Sequence, residues 1–259
     1  MVILTGDAKG GAQGKAKRDK FDYEKVRRAE LQYGIKLRKL ARHIGEVINA
    51  FPAGDPAAVP KIRKLLNEYA VALTPWAEAT AAGMLADVAH RDRKLWEAQT
   101  VGMSNSLRQE LLNAPTGATL RQLQAEQVRL IQSLPIEAAE RVHKLTYEGL
   151  AQATRADEIA REIRRSGKVT ESRATLIART EVGRASTNLG QARALYVGSD
   201  GYIWRTAMDS DVRPSHRRME GKFVKWSKPP TLDNLTGHAG CVPNCRCYTE
   251  IVLPDGYLA

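Results

Sequence analysis

Residues 202–253 read YIWRTAMDSDVRPSHRRMEGKFVKWSKPPTLDNLTGHAGCVPNCRCYTEIVL, and this stretch decides the fold. Apolar and polar side chains alternate in its first residues, 202–206, as they do in a half-buried β-strand. Turn-forming Pro, Gly, Asn and Asp residues separate further short apolar runs. The pattern predicts strands near residues 202–207, 222–226 and 246–252, with loops between them. We therefore expect a small β-containing module here.

Upstream of Gly201 the apolar residues recur every three or four positions, which is the period of an amphipathic helix. In residues 22–50, for example, Leu37, Leu40 and Ile44 share one helical face. The pattern predicts helices over residues 22–50, 104–113, 118–133, 136–153 and 170–197. It also predicts a helix from Pro60 to Trp96 with a break or kink at Pro75. A further short helix follows a capping-box pattern at residues 154–157 and ends at Arg165. The predicted fold class is α+β, with a mostly helical N-terminal two-thirds followed by a small C-terminal β-containing module.

The chain of 259 residues carries a net charge of +11 and has a pI near 9.7. Residues 202–259 contain 8 Lys/Arg and 6 Asp/Glu, so most of the positive excess, about +9, lies in residues 1–201. Such an excess is typical of a surface for nucleic acid or another acidic partner, which favours the helical part for this role. The alternative is that the basic side chains simply solvate exposed helix faces.

The predicted domain organisation has three parts. Residues 1–20 are rich in Gly, Lys and Arg, so we expect a disordered basic arm that is either a polyanion-binding tail or a plain flexible one. Residues 21–133 form a helical domain. Residues 134–259 form a second domain, with helices up to residue 198 and the β-containing module at 202–253. No apolar run has the length of a transmembrane helix or of a signal-peptide core, which predicts a protein without a membrane anchor.

All three cysteines lie near the end of the module, at Cys241, Cys245 and Cys247. The last two are two residues apart, so on a strand their side chains face the same way. Thiolates together with an imidazole from His216 or His238 suit zinc. Three alternatives remain open: reduced cysteines that act as small apolar residues, one disulfide, or a nucleophilic Cys–His pair.

Two other polar pairs have structural interpretations. Arg179 and Glu181 are two residues apart on a predicted helix, so they do not share a face. Each is predicted to hold this helix to the module through a separate buried pair. Asp209 and Asp211 either bind a cation together or satisfy the backbone amides of their own turn.

Several short motifs follow one another in the second half of the chain. They are Leu130-Ile-Gln-Ser-Leu-Pro135, Ala178-Arg-Thr-Glu181 with Asn188, Trp204-Arg-Thr with Asp209, Arg213, His216 and Glu220-Gly221, and Pro243-Asn-Cys-Arg-Cys247. In this order they resemble the phage Mu F-like minor head proteins, also called head morphogenesis proteins, over about residues 129–253. The most specific parts are Ala-Arg-Thr-Glu on a helix and the terminal Pro-Asn-Cys-Arg-Cys.

The resemblance implies that residues 134–259 are a Mu F-like head morphogenesis domain. It implies a minor capsid protein of a tailed bacteriophage, an internal, low-copy structural component and not an enzyme. Its partners would be the portal and the capsid or scaffold proteins, with packaged double-stranded DNA as a further candidate. It would lie inside the virion, and in the host cytoplasm during assembly, and is a candidate for ejection with the genome. The residues that carry the structural motif here are Arg179, Glu181, Trp204, Asp209 and Gly221.

The chain departs from the family pattern at two positions. Many relatives have Cys at the position of Arg213, Cys or His at that of His216, and His at that of Val242. This chain keeps His216 and the last two cysteines, lacks the ligand type at Arg213 and Val242, and has Cys241 beside the latter. The resemblance therefore implies a rearranged candidate zinc site, formed by His216, Cys241, Cys245 and Cys247.

Two further functions fit parts of the pattern. A metal-dependent nucleic-acid-binding protein or nuclease would use the positive charge and the His/Cys cluster, but the sequence lacks a His-Asn-His pattern and a paired general base. A delivered effector would carry the module as an export tag. Few residues follow Leu253, so we expect no C-terminal toxin domain.

Overall fold

Long helices form most of the chain, as the three- and four-residue periodicity predicts. A computed structural model describes residues 2–4, 12–100 and 105–254. The helices are α1 (Ala12–Asn49), α2 (Val59–Ala72), α3 (Thr74–Gln99), α4 (Asn105–Leu112), α5 (Gly117–Ala151), α6 (Ala156–Arg164), α7 (Ser166–Tyr196) and α8 (Pro214–Arg217). The strands are β1 (Val2–Leu4), β2 (Gly201–Thr206), β3 (Phe223–Lys225), β4 (Thr231–Leu232), β5 (Leu235–Thr236) and β6 (Cys247–Val252). The predicted α+β class is confirmed.

Proline and glycine set several helix ends. Pro60 lies in the first turn of α2, where a backbone N–H has no partner within the helix. Beyond the last residue of α7, Gly198 has a φ of +78°, in the left-handed region that glycine adopts readily. The N–H of Ser199 then donates to the carbonyl of Ala194 at 2.9 Å and caps the helix. The sequence predicts both boundaries from these residues.

Helix α5 differs from the expectation of two helices separated at Leu134-Pro135. It is continuous, with Pro135 inside it. An internal proline removes one backbone hydrogen bond and costs about 3 kcal/mol. Leu134, Ala138 and Val142 around it are buried. Because tertiary packing supplies most of the stability of a helix in a protein, burial of this face offsets the local cost.

The capping box predicted at residues 154–157 does not form. Arg155 is the N-cap residue of α6 and makes no side-chain cap hydrogen bond. Thr154 therefore precedes the cap position by one residue, and the expected register is wrong. Asp157 and Glu158 lie in the first turn of α6. Their negative charges favour the N-terminal end of the helix dipole instead.

The N-terminal segment is more regular than predicted. Val2–Leu4 form β1, which pairs in parallel with β6, and α1 begins at Ala12. Residues 12–20 are rich in Ala, Gln, Lys and Arg, which favour a helix. The prediction of a disordered arm is therefore wrong for these two segments. The remainder of the predicted arm, residues 1 and 5–11, lies outside the described residues.

Two compact units interleave along the sequence. Unit 1 contains Met1–Glu30, Gly83–Leu123 and Arg179–Ala259, and unit 2 contains Leu31–Ala82 and Gln124–Ala178. The predicted β-containing module belongs wholly to unit 1. The boundary predicted between residues 133 and 134 lies within α5, so the assignment of separate functions to its two sides stays a prediction.

The regular secondary structure of unit 2 is entirely helical in its described residues. Leu37, Ile44 and Leu66 are among its fully buried side chains. Its segments of α1 and α7 approach closely at two glycines, where a Cβ atom on Gly45 would lie only 3.0 Å from the Cα atom of Gly167. In the described part of the whole chain, no helix is both long and apolar enough to cross a membrane.

Unit 1 contains a four-stranded sheet with the order β1-β6-β2-β3. The central strand β2 pairs antiparallel with both β6 and β3. Its alternate residues Tyr202, Trp204 and Thr206 are buried, so one face of the sheet meets the core. Trp96 from α3 and Trp226 belong to the same core. The strands agree with the predicted alternating segments, and β4 and β5 form a separate two-stranded sheet.

A buried ion pair joins two helices inside unit 1. The Nε atom of Arg193 on α7 donates to Oδ2 of Asp92 on α3 at 2.7 Å, and the two side chains are only 7% and 3% exposed. Arg193 also donates to the carbonyl of Leu112 at the end of α4, at 3.1 Å. Burial raises the pKa of Asp92 even with the guanidinium beside it. Such a pair contributes little net stability but is costly to break.

We expect Arg193→Met to lower the free energy of unfolding by about 3–5 kcal/mol, because it leaves a buried carboxylate unpaired. The double variant Asp92→Leu/Arg193→Met should recover most of this loss, since it removes both charges. Urea unfolding followed by circular dichroism measures both. Arg93→Met is the control, because the Arg93–Glu97 pair is exposed and is expected to contribute about 0.2–1 kcal/mol. A double variant as unstable as Arg193→Met would contradict this account.

Candidate metal centre

Three side chains from separate segments of unit 1 meet next to the sheet. His216 lies on α8, Cys245 in the loop before β6, and Cys247 at the start of β6. The His216 Nδ1 atom lies 3.5 Å from the Cys245 sulfur and 3.4 Å from the Cys247 sulfur. The candidate ligand atoms of all three residues lie within 4.8 Å of one another. His216 and Cys247 are buried, and Cys245 is half-buried.

Helix α8 is a single turn that orients the imidazole. Pro214 begins it and Arg213 precedes it as the N-cap residue. The Arg213 guanidinium donates to the carbonyl of Pro243 at 2.7 Å, which ties the start of α8 to the segment that carries the cysteines. The Trp204 indole packs edge-on against the His216 ring, with 5.5 Å between centroids. The position of His216 is therefore fixed from two sides.

The segment 239–245, which we call the cysteine loop, is hydrogen-bonded to α7. The hydroxyl of Thr187 donates to the carbonyl of Ala239 at 2.7 Å. The hydroxyl of Thr180 accepts from the N–H of Asn244 at 3.2 Å. Two polar side chains on one helix thus hold both ends of the loop.

Between these two hydrogen bonds the backbones of α7 and the cysteine loop nearly touch. A Cβ atom on Gly183 would lie 2.9 Å from the carbonyl oxygen of Gly240. Gly240 itself has a φ of +84°, and its N–H donates to the Cys245 sulfur at 3.4 Å. Thr180, Gly183 and Thr187 share a helix face because they are three and four residues apart. Sequence reasoning missed this face, although the spacing of its small residues was a usable signal.

Cys241 lies outside the group of three. Its sulfur is 3.8 Å from the Oδ1 atom of Asn188 on α7. Burial raises the pKa of this thiol to about 12. Of the four residues predicted as a zinc site, the structure brings His216, Cys245 and Cys247 together and places Cys241 beside the helix.

His238 also lies outside the cluster. Its Nδ1 atom is 3.2 Å from the Tyr202 hydroxyl, and its ring packs against Trp226 at 5.4 Å between centroids. Burial lowers the pKa of His238, which favours its neutral form. The His238 carbonyl accepts from the N–H of Cys241 at 3.0 Å, but of the two histidines considered for the site it is the His216 ring that lies beside the sulfurs of Cys245 and Cys247.

The pKa values of Cys245 and Cys247 are shifted in opposite directions. A hydrogen bond from the Cys247 thiol lowers the pKa of Cys245 against the opposing effect of burial, and His216 adds to the lowering. The same hydrogen bond, together with burial, raises the pKa of Cys247. These opposite shifts favour the thiolate form at Cys245 over Cys247. A thiolate is the form of cysteine that binds metals and acts as a nucleophile.

Asp209 and Asp211 face a cation of the protein itself. Arg246 donates from Nε to Oδ2 of Asp209 at 2.9 Å, and its Nη1 atom lies 3.4 Å from the Asp211 carboxylate. The N–H of Asp211 also donates to Asp209 Oδ1 at 3.2 Å, as in an ordinary Asx turn. Asp209 therefore holds Arg246, the residue that precedes β6, in place next to Cys247.

Arg179 and Glu181 lie on α7 near the same loop. Arg179 donates to Glu30 Oε1 at 3.0 Å and to Asn244 Oδ1 at 3.2 Å. Glu181 is buried and lies 3.5 Å from the Arg184 guanidinium. Arg179 thus connects the Ala-Arg-Thr-Glu motif directly to the Pro-Asn-Cys-Arg-Cys motif.

Glu220 and Gly221 shape the turn between α8 and β3. Gly221 has a φ of +77°, and its N–H donates to the carbonyl of Trp204 at 2.9 Å. The Glu220 carboxylate accepts from the N–H of Thr206 at 2.7 Å and from Arg205 at 3.0 Å. Both motif residues therefore stabilise the turn between α8 and β3 and connect it to β2. Neither residue gives evidence of a bound ligand.

We expect Gly240→Ala to lower the free energy of unfolding by about 2–3 kcal/mol, because the left-handed backbone disfavours a Cβ atom. That atom would also lie 2.9 Å from the Thr187 hydroxyl oxygen. Gly83→Ala is the control: nothing lies within 4 Å of a Cβ atom there, and alanine should stabilise α3 by about 1 kcal/mol. Urea unfolding measures both, and equal effects would contradict the close-approach argument.

Comparison with known proteins identifies the segment that contains this cluster. An uncharacterized protein of Haemophilus influenzae is 32% identical over 133 residues, which make up 51% of this chain but only 29% of that protein. No solved structure matches the chain. A family model described as Phage Mu protein F like protein matches residues 140–250, which include α6, α7, the cysteine loop and all three clustered side chains. The resemblance predicted over about residues 129–253 is thereby confirmed over residues 140–250, which are similar to the phage Mu F-like family.

Proposed function

We propose that this chain acts in head morphogenesis of a tailed bacteriophage, as a minor structural component of the head. The observation that carries the proposal is the Mu F-like match over residues 140–250. The family motifs within it contact one another, since Arg179 of the first motif donates to Asn244 of the last. These two motif residues therefore belong to the same folded part of unit 1.

The proposal extends to partners and location. The chain would associate with the portal and with capsid or scaffold proteins in the host cytoplasm, and remain at low copy inside the virion. Ejection with the genome would follow from an internal position. The support for these finer statements is the family resemblance.

Particles made by the phage or prophage that encodes this chain provide the test. We expect mass spectrometry of purified, DNA-filled heads to detect the chain, and deletion of its coding sequence to lower the infectious titre at least tenfold. Supplying the wild-type chain or the Gly83→Ala variant in trans should restore the titre. Heads that lack the chain, together with an unchanged titre after deletion, would contradict the proposal.

Contact with packaged double-stranded DNA is the second part of the proposal, and the charges of the module support it. Residues 202–254 contain five acidic side chains, and each has a partner inside the protein. Glu220 and Glu250 pair with Arg205, and Asp209 and Asp211 pair with Arg246. Asp233 accepts from the Ser215 hydroxyl at 2.6 Å.

Six cations of residues 202–254 have no carboxylate partner among the described residues. Arg213 and Arg217 donate to backbone carbonyls instead, and we call the other four the basic strip. They are exposed and follow one another in sequence from α8 through β3: Arg218, Lys222, Lys225 and Lys228. Among the described residues, no carboxylate lies within 4.0 Å of their charged groups. Unneutralised lysines and arginines of this kind bind the phosphate backbone without reading its sequence.

We expect neutralisation of three strip residues, Lys222→Gln/Lys225→Gln/Lys228→Gln, to weaken binding of double-stranded DNA. The slope of log K against log salt concentration should shrink by about 3, since each lost phosphate contact removes about 0.9. Fluorescence anisotropy with a labelled duplex measures both quantities.

The control for this experiment is Lys36→Gln/Lys39→Gln/Arg42→Gln, which removes the same charge from an exposed face of α1. A larger effect of the control would assign DNA binding to the helical part and contradict the role of the strip. Cleavage of the duplex in the presence of divalent metal ions, abolished by His216→Ala, would instead support the nuclease alternative.

A further inference from the structure

We infer that His216, Cys245 and Cys247 bind one zinc ion and that Cys241 is not a ligand. The inference concerns a site within the module and does not rest on the proposed function. It differs from the four-residue site predicted from the sequence, because the fold separates Cys241 from the other three residues.

The distances between the side chains fit a tetrahedral zinc ion. With Zn–S bonds of about 2.3 Å and Zn–N bonds of about 2.0–2.1 Å, a nitrogen and a sulfur ligand lie about 3.6 Å apart. The His216 Nδ1 atom lies 3.5 Å from the Cys245 sulfur and 3.4 Å from the Cys247 sulfur. Both nitrogen–sulfur distances thus match those of a tetrahedral site, and all three donor atoms lie within 4.8 Å of one another.

Hydrogen bonding alone accounts poorly for this arrangement. In either tautomer the Nδ1 atom makes one well-directed hydrogen bond, because a neutral imidazole nitrogen offers either one lone pair or one proton. Two sulfur atoms nevertheless converge on the same Nδ1 atom of His216. A shared cation takes an electron pair from each of the three atoms at once, so it satisfies the whole cluster.

The surroundings of the cluster favour metal-binding forms of the side chains. The N–H of Gly240 points at the Cys245 sulfur at 3.4 Å, as backbone donors do around metal-bound thiolates. His216 is held by the short helix α8, which Arg213 fastens to the carbonyl of Pro243 at 2.7 Å. Little reorganisation is needed to complete the site, because these contacts preorganise the ligands.

The position of Cys241 leaves the protein with three ligands. Its sulfur contacts the amide oxygen of Asn188 at 3.8 Å and is aimed at α7. Zinc sites with three protein ligands complete the tetrahedron with water or another small ligand. Cys245 is half-buried, so solvent can reach this side of the cluster. The bound ion would join α8, the cysteine loop and β6, and metal binding would stabilise the folded module.

Metal content of the purified full-length chain tests the inference. We expect about one zinc ion per chain, and at most about a tenth of that amount in Cys245→Ser, Cys247→Ser and His216→Gln. Cys241→Ser is the matched control and should keep its zinc. Chelation should lower the melting temperature of the wild-type chain and of Cys241→Ser by about 5 °C or more.

A second measurement needs no variant, so it remains decisive if a substitution prevents folding. Replacement of zinc by cobalt(II) in the wild-type chain gives a sulfur-to-metal charge-transfer absorption whose intensity increases with the number of bound thiolates. We expect the intensity of two thiolates in a tetrahedral site. An intensity of three thiolates, or loss of zinc from Cys241→Ser, would overturn the three-ligand assignment. A zinc-free chain that does not take up added zinc would overturn the site altogether.

Discussion

The close approach of α7 to the cysteine loop determines where the candidate metal-binding side chains of unit 1 lie. Gly183 and Gly240 leave no side chain at the point of contact, and the backbones meet directly. Thr180 and Thr187 hydrogen-bond to the loop on either side of this point. Backbone packing and these two threonine hydrogen bonds together set the position of the loop. That position holds Cys245 against His216 and turns Cys241 towards the helix.

The charges of the module have two separate uses. Arg205 and Arg246 are enclosed by the carboxylates of Glu220, Glu250, Asp209 and Asp211, and they hold the strands and turns in register. These internal ion pairs neutralise most of the negative charge in residues 202–254. The cations of the basic strip therefore remain available to an external polyanion, although the net charge of the module alone is small.

Much of the fold could be predicted from local patterns. Alternation in residues 202–206 and the glycine at position 198 are read correctly, because period and backbone freedom are properties of short segments. Pro135 predicts a break, but helix α5 continues through it because the residues around it are buried in unit 2. The capping box near residue 154 fails by a shift of one position. Such errors arise where long-range packing outweighs local preference.

Local patterns in the sequence specify most helices and strands, the clustering of cysteines at one end of the module, and the motifs that resemble the Mu F-like family over about residues 129–253. Only the tertiary structure decided which of those cysteines lie together. Cys245 and Cys247 face the same side across the start of β6, whereas Cys241 precedes a turn in which Asn244 has a φ of +57°. A residue in the left-handed backbone region turns the chain sharply, so the side chains before and after it point in different directions. The spacing of the cysteines along the sequence does not predict this turn. Contact with α7 fixes it in the folded protein.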